Sequence, residues 1–218
     1  MRPHVSINMA MTADGKIASA NRAVSTFGSR VDHAHLLALR DKADAILTGA
    51  GTLNAQPQVT LGLGPKSKMN PPLRVIASGS GQVNAHHKIF RSPGAPVLVL
   101  TTERISRTRL KNLKAAAHNV KIFGADEINF KKALAWLQKE WDVKRLLCEG
   151  GGQLNDALFR AAVVDEVNLT VCPLILGGRE APTLAEGLGF GQLKDAARFS
   201  LKSCRQLGNE MFLVYRKA

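Results

Sequence analysis

The sequence is short of acid. Across 218 residues, 17 Asp+Glu stand against 30 Lys+Arg, a formal charge of +13. It has no apolar run long enough to cross a bilayer. Its first residues, Met1-Arg2-Pro3-His4-Val5-Ser6-Ile7, contain no hydrophobic signal core. A cytoplasmic protein without membrane partners is expected. Cysteine is scarce: Cys148, Cys172 and Cys204 are far apart, in apolar settings and without metal-ligand spacing. That excludes a disulfide scaffold and a structural metal, and predicts reduced core thiols. Aromatics are 5% of the chain and few lie near the basic residues, which argues against a stacking surface for single-stranded nucleic acid. No nucleic-acid-binding motif is present, so no nucleic-acid partner is expected.

The shortage of acid is local. Between Lys66 and Lys121 there are eleven basic residues and one acidic residue, Glu103. Such a stretch is either a solvated basic face or an attractive field for a polyanionic ligand.

What is present is organised around Arg145-Leu146-Leu147-Cys148-Glu149-Gly150-Gly151-Gly152-Gln153-Leu154-Asn155. A short apolar run is followed at once by three glycines. Leu154, Ala157, Leu158, Ala161 and Ala162 then recur at helical spacing. This is strand, glycine turn, helix. Such a turn admits a ligand close to the main chain, because glycine has no Cβ. It also aims the free N–H groups of the next helix at that ligand, and those groups favour phosphate. The competing reading is a tight connection that needed glycine for packing. Residues 43–48 form a second strand that ends in glycines, Gly49-Ala50-Gly51-Thr52. Together the two strand ends suggest one shared crevice.

Other apolar runs predict strands at 5–10, 73–78, 97–102, 119–123 and 165–172. Helical spacing predicts helices over about 29–42, from about 106, and from about 130 with Asn129 as cap. Ser29 and Asp32 are alternative caps for the first. Residues 54–72, rich in Pro, Gly, Asn and Gln, read as a loop near the site. The β–α–β alternation argues for a parallel sheet. Runs at 199–204 and 211–215, joined through Leu207-Gly208-Asn209-Glu210, predict an antiparallel hairpin. The expectation is an α/β fold, one domain over residues 1–218, with a mainly parallel central sheet flanked by helices and an antiparallel C-terminal hairpin.

These residues resemble the pyrimidine reductases of riboflavin biosynthesis, a family with a dihydrofolate-reductase-like fold that also forms the C-terminal half of bifunctional deaminase-reductases. The resemblance rests on five stretches in order: residues 11–18 around Asp14-Gly15-Lys16, residues 43–52 ending in Gly49-Ala50-Gly51-Thr52, residues 149–155 around Gly150-Gly151-Gly152, Val164-Asp165-Glu166-Val167, and Pro173-Leu174-Ile175-Leu176-Gly177-Gly178. It implies an NADPH-dependent oxidoreductase. Its substrate would be 2,5-diamino-6-ribosylamino-4(3H)-pyrimidinone 5′-phosphate or the deaminated 5-amino-6-ribosylamino-uracil phosphate. The ribosyl group would be reduced to ribityl by hydride transfer to C1′. It further implies that Gly49, Gly51, Thr52, Val75, Ile76, Ala77, Ser78, Ile128, Gly150, Gly151, Gly152 and Gln153 hold the dinucleotide. Lys16, Ser25, Arg40 and Glu149 would face the phosphorylated heterocyclic substrate, with Lys16 and Glu149 at the chemistry. A homodimer is implied too, with no metal.

The chain also departs from the family. After Thr52 the family usually carries an acidic pair before a proline; here Asn54-Ala55-Gln56-Pro57 stands. An Asp usual after the middle strand is Ser78, and a Thr usual after the glycines is Gln153. The lost acids leave a dihydropterin-type reductase as the alternative on the same fold. A non-enzymatic nucleic-acid binder rests on the +13 alone.

Overall fold

The structure, a computed structural model, describes residues 1–22, 27–62 and 71–218. Ser25, and most of the stretch after Leu61 that was expected to be a loop, lie outside the described residues.

The elements run β1 (His4–Thr12), α1 (Arg30–Arg40), β2 (Ala45–Gly49), α2 (Ala50–Ala55), β3 (Leu73–Ala77), β4 (Val97–Thr101), α3 (Arg107–Ala116), β5 (Asn119–Ile122), α4 (Phe130–Trp141), β6 (Arg145–Cys148), α5 (Gly152–Arg160), β7 (Glu166–Cys172), β8 (Phe199–Leu207) and β9 (Glu210–Lys217). They build one nine-stranded sheet in the order β5-β4-β3-β2-β6-β1-β7-β9-β8. The pairs from β5 across to β7 are parallel; β7–β9 and β9–β8 are antiparallel. The expected mainly parallel sheet with an antiparallel C-terminal hairpin is therefore present.

Alternation along the central strands sends side chains to opposite faces. Leu47, Val75 and Leu98 join one core with Leu134 and Leu137 of α4 and Leu158 of α5. Ile46, Ile76 and Val99 join the other, with Leu53 of α2 and Leu113 of α3. Strands covered on both faces need continuous apolar runs, which is what these sequences are. Each fully buried Leu contributes roughly 1.5–3 kcal/mol.

Under α1 the sheet is polar. The register sets Asn8 against Asn168 and Ala10 against Thr170. Asn8, Asn168, Thr170 and the neighbouring Glu210 are all buried. No residue of α1 is fully buried.

Three expectations are corrected. Asn54 and Ala55, expected to open the loop, instead close the short α2, which Gly49 caps and whose Leu53 is fully buried. Ser29, not Asp32, caps α1, its hydroxyl accepting from Val31 N and Asp32 N. Cys204 is exposed on β8 rather than in the core, because β8 is the outermost strand. Cys148 and Cys172 are buried, and loss of solvation pushes both thiols up to about 12.

Candidate active site

The site opens where β6 stops. Cys148 pairs with Ile7 on one side and Leu47 on the other, but β1 continues to Thr12 beside β7. Past Cys148 the chain stays with β2: Glu149 N donates to Leu47 O at 2.9 Å, and Gly49 N donates to Gly150 O at 2.8 Å. A crevice is left between that turn and β1. This is the C-terminal end of the parallel strands, where open α/β sheets take ligands.

Glycine is required in the turn. Gly150 has φ +76, and a Cβ there would meet Met9 Sδ at 2.7 Å. The Gly150–Gly151 peptide is cis. A Cβ on Gly151 would lie 2.9 Å from Thr52 Oγ1, so the two glycine-rich strand ends do meet. A Cβ on Gly152 would lie 2.5 Å from Thr183 O. Gly151 caps α5 with no side-chain hydrogen bond, which leaves the first N–H groups of a nine-residue helix to a ligand.

Two cavities flank this turn. The larger, about 840 Å³, is lined by Gly49, Gly51, Thr52, Ala77, Ser78, Ile128, Gly151, Gly152 and Gln153, nine of the twelve expected dinucleotide contacts. Val75 and Ile76 are not among them. Both are 0% exposed inside β3, one in each core. Gly150 is buried behind the turn. The smaller cavity, about 280 Å³, is lined by Asn8, Asp32, Leu36, Arg40, Thr48, Gln56 and Glu149, among others. The two share Arg22, Gly51, Thr52, Gly151, Gly152 and Glu186. They are one crevice with a waist at Thr52 and Gly151.

The basic excess is elsewhere. The larger cavity is lined by the cations Arg22, Lys131 and Arg160 and the acids Asp126, Glu127, Asp156 and Glu186. Arg160 is already engaged by Asp156 and Glu127. Arg107, Arg109, Lys111 and Lys114 of α3 are exposed, a solvated basic face.

Residues 3–213 match the RibD C-terminal domain family. The chain belongs to that family. It is 32% identical to the 2,5-diamino-6-ribosylamino-4(3H)-pyrimidinone 5′-phosphate reductase of Methanothermobacter thermautotrophicus over 99% of this chain and 98% of that protein. Its fold superposes with a TM-score of 0.81 on a pyrimidine reductase-like protein from Corynebacterium diphtheriae, at 21% identity, covering 99% and 92% of the two chains. Against Acinetobacter baumannii RibD the TM-score is 0.79 at 21% identity, and this chain spans 58% of that longer one.

In this RibD C-terminal domain, Arg40 and Glu149 form a bidentate pair in the smaller cavity. Nε donates to Oε1 at 2.6 Å and Nη2 to Oε2 at 2.7 Å, with the side chains 13% and 12% exposed. Arg40 Nη1 donates to Gly62 O at 2.6 Å. Arg40 is thus a positioned donor rather than a free cation. Lys16 lines neither cavity. Its Nζ donates to Ala181 O at 3.2 Å and its backbone bridges Thr183, while Ile17 and Ala18 face the smaller cavity.

Sequence reasoning missed the ion pair Arg22–Glu186 at the waist, 2.9 Å, since nothing in either neighbourhood marks it. It also missed Asn8 and Asp32. A polar residue inside the apolar β1 was the available signal for the first. Burial raises the pKa of Asp32, and the neighbouring Glu210 adds to this against the Thr170 hydroxyl, which donates to it.

Proposed function

We propose that the chain is a reductase of riboflavin biosynthesis. It reduces the ribosyl group of 2,5-diamino-6-ribosylamino-4(3H)-pyrimidinone 5′-phosphate to ribityl, with hydride entering at C1′. The observation that carries this is the waist: a dinucleotide-sized groove and a side-chain-lined cavity open onto each other at Thr52, Gly151 and Gly152. A reductase needs a nicotinamide cofactor, and full-length likeness to a reductase supplies the substrate class.

The residues fit such a cofactor. Gly151 and Gly152 line the groove, and the uncapped start of α5 suits a pyrophosphate. Bound there, the dinucleotide supplies the hydride. The protein's part is positioning. Thr52 and Gly51 border both ligands. Arg40 fixes Glu149, whose remaining lone pairs accept sugar hydroxyls. Lys16 reaches the substrate only when its ammonium leaves Ala181; otherwise the proton comes from water. NADPH over NADH follows from the family resemblance, not from the charge of the groove.

We also infer a homodimer. Among the described residues β8 is an edge strand, carrying exposed Leu201 and Leu207, and exposed Ile175, Leu188 and Leu193 lie on the preceding segment. Light scattering of a size-exclusion peak reads the mass directly.

The enzymatic test crosses NADPH and NADH with the ribosylamino-pyrimidinone phosphate and a dihydropterin. Loss of the reduced-nicotinamide absorbance with the first substrate alone is expected. Turnover of the dihydropterin alone would replace the assignment.

A further inference from the structure

The substrate assigned above carries a 5′-phosphate, about two negative charges at neutral pH. The cavity assigned to it offers little positive charge to meet them. Among the described residues its lining includes two cations, Arg22 and Arg40. Arg40 is committed: it holds Glu149 through two hydrogen bonds, with both side chains almost buried. Turning it away would strand a desolvated carboxylate. Arg22 is held loosely. Its Nη2 donates to Glu186 Oε1 at 2.9 Å, with the side chains 55% and 25% exposed. An ion pair so open to water contributes little to stability, so its cation is available for exchange. The pair stands at the waist, since both residues line both cavities. Glu186 is the anchored partner: its N–H donates to Gly152 O at 3.0 Å, and nearby Asn155 Nδ2 donates to Leu184 O at 2.8 Å.

We propose that Arg22 recognises the 5′-phosphate of the substrate, and that Glu186 is its partner until the phosphate displaces it. This rests on the reductase reading above. A guanidinium presents the same fork of N–H groups to a phosphate as to a carboxylate, and the phosphate brings more charge and more acceptor oxygens. Exchange therefore favours the ligand. The released Glu186 carboxylate stays at the partly exposed waist, where water solvates it. The larger cavity has other means of holding its anion, the bare start of α5 and Lys131. The smaller cavity, among the described residues, has Arg22 alone for this purpose, since Arg40 is taken. A heterocycle without the phosphate leaves the Arg22–Glu186 pair closed, so Arg22 separates the phosphorylated compound from its free nucleoside. Arg22 supplies binding and orientation; no bond is made or broken at it.

The test compares the ribosylamino-pyrimidinone 5′-phosphate with the same compound lacking its phosphate, each with NADPH, on the wild type, Arg22→Gln, Arg22→Lys and Glu186→Gln. The wild type should favour the phosphate by about tenfold or more in kcat/KM. In Arg22→Gln the KM for the phosphate should rise about tenfold, with kcat and the KM for the unphosphorylated compound within about twofold of the wild type. Arg22→Lys keeps the charge without the fork and should fall between the two. Glu186→Gln removes the competing carboxylate, so the KM for the phosphate alone should fall about two- to fivefold. NADPH affinity, read by calorimetry, should stay within about twofold in every variant, which shows that they fold. Equal losses on both compounds in Arg22→Gln overturn the proposal and leave the reductase standing. Loss of NADPH affinity in Arg22→Gln assigns the cation to the cofactor or to the fold and overturns it as well. A higher KM for the phosphate in Glu186→Gln makes the pair a fixed support and overturns the exchange. A wild type that reduces neither compound overturns the reductase itself, and this proposal with it.

Discussion

The two halves of the crevice are made of different material. The larger cavity is mostly backbone: three strand ends, glycines at 49, 51, 151 and 152, and the bare start of α5. The smaller cavity is mostly side chains held by one another: Arg40 on Glu149, Asp32 with Thr170, and Asn8 beside them. A backbone site tolerates exchange of most side chains but not the addition of a Cβ. A side-chain site tolerates changes of backbone detail but not the loss of one member of a pair.

The largest effect should come from splitting the buried pair. Glu149→Leu leaves Arg40 charged and unpaired at 13% exposure, and breaking such a pair costs roughly 3–5 kcal/mol. The double variant Arg40→Met with Glu149→Leu should recover most of that stability while remaining inactive. Denaturant melts read the coupling through the double-mutant cycle. Equal destabilisation in the single and double variants would mean that the pair is not a unit.

Gly152→Val tests the other half. Its Cβ would lie 2.5 Å from the backbone oxygen of Thr183, so the segment over α5 must move. Overpacking of this kind costs about 1–3 kcal/mol. Dinucleotide affinity should fall at least tenfold by calorimetry, whereas Glu149→Leu should leave it largely intact. Equal losses in both variants would erase the distinction between the cavities. A milder probe is Gln153→Glu, which places a negative charge in the first turn of α5, where the pyrophosphate is assigned. The corresponding dipole effect is about 0.3–1 kcal/mol, so the dinucleotide Kd should rise about two- to fivefold, less at high salt.

Legibility in the sequence followed the same division. Glycine next to an apolar strand is a local signal, so the meeting of the strand ends at Thr52 and Gly151 is legible in the sequence. The sheet order was readable only as a class, because β6 enters the middle from distant sequence. The resemblance implies that Val75 and Ile76 contact the dinucleotide, but the pleat turns one into each core. Ser29 and Asp32 both suit a cap locally; only the polar face supplied by β7 and β9 shows that Asp32 is buried beside Thr170 and Glu210 instead. Arg40 and Glu149 were both named, yet their mutual pairing spans 109 residues and has no local signature.

The smallest effect separates two aspartates by sign. Asp14 is exposed and is bound by the Thr12 hydroxyl and the N–H groups of Leu176 and Gly177, which hold its pKa at about 2. Its folded pKa lies below the unfolded value of 3.8, so its contribution is present above that value and is lost as pH falls toward about 2. Asp32 lies the other way. Burial raises its folded pKa, with Glu210 adding to it and Thr170, His35 and His33 opposing. Its contribution is present below 3.8 and is lost as pH rises through the folded pKa. Relative to the wild type, Asp14→Asn should therefore lower Tm at neutral pH, with the gap closing on acidification. Asp32→Asn should gain on the wild type as pH rises from about 4, since the amide needs no ionisation at that buried end of the cavity. Thermal melts across that range, each variant against the wild type at the same pH, read the two slopes. Slopes of the same sign would place both carboxylates in the same kind of environment and remove the electrostatic distinction between the anchored loop and the buried cavity end.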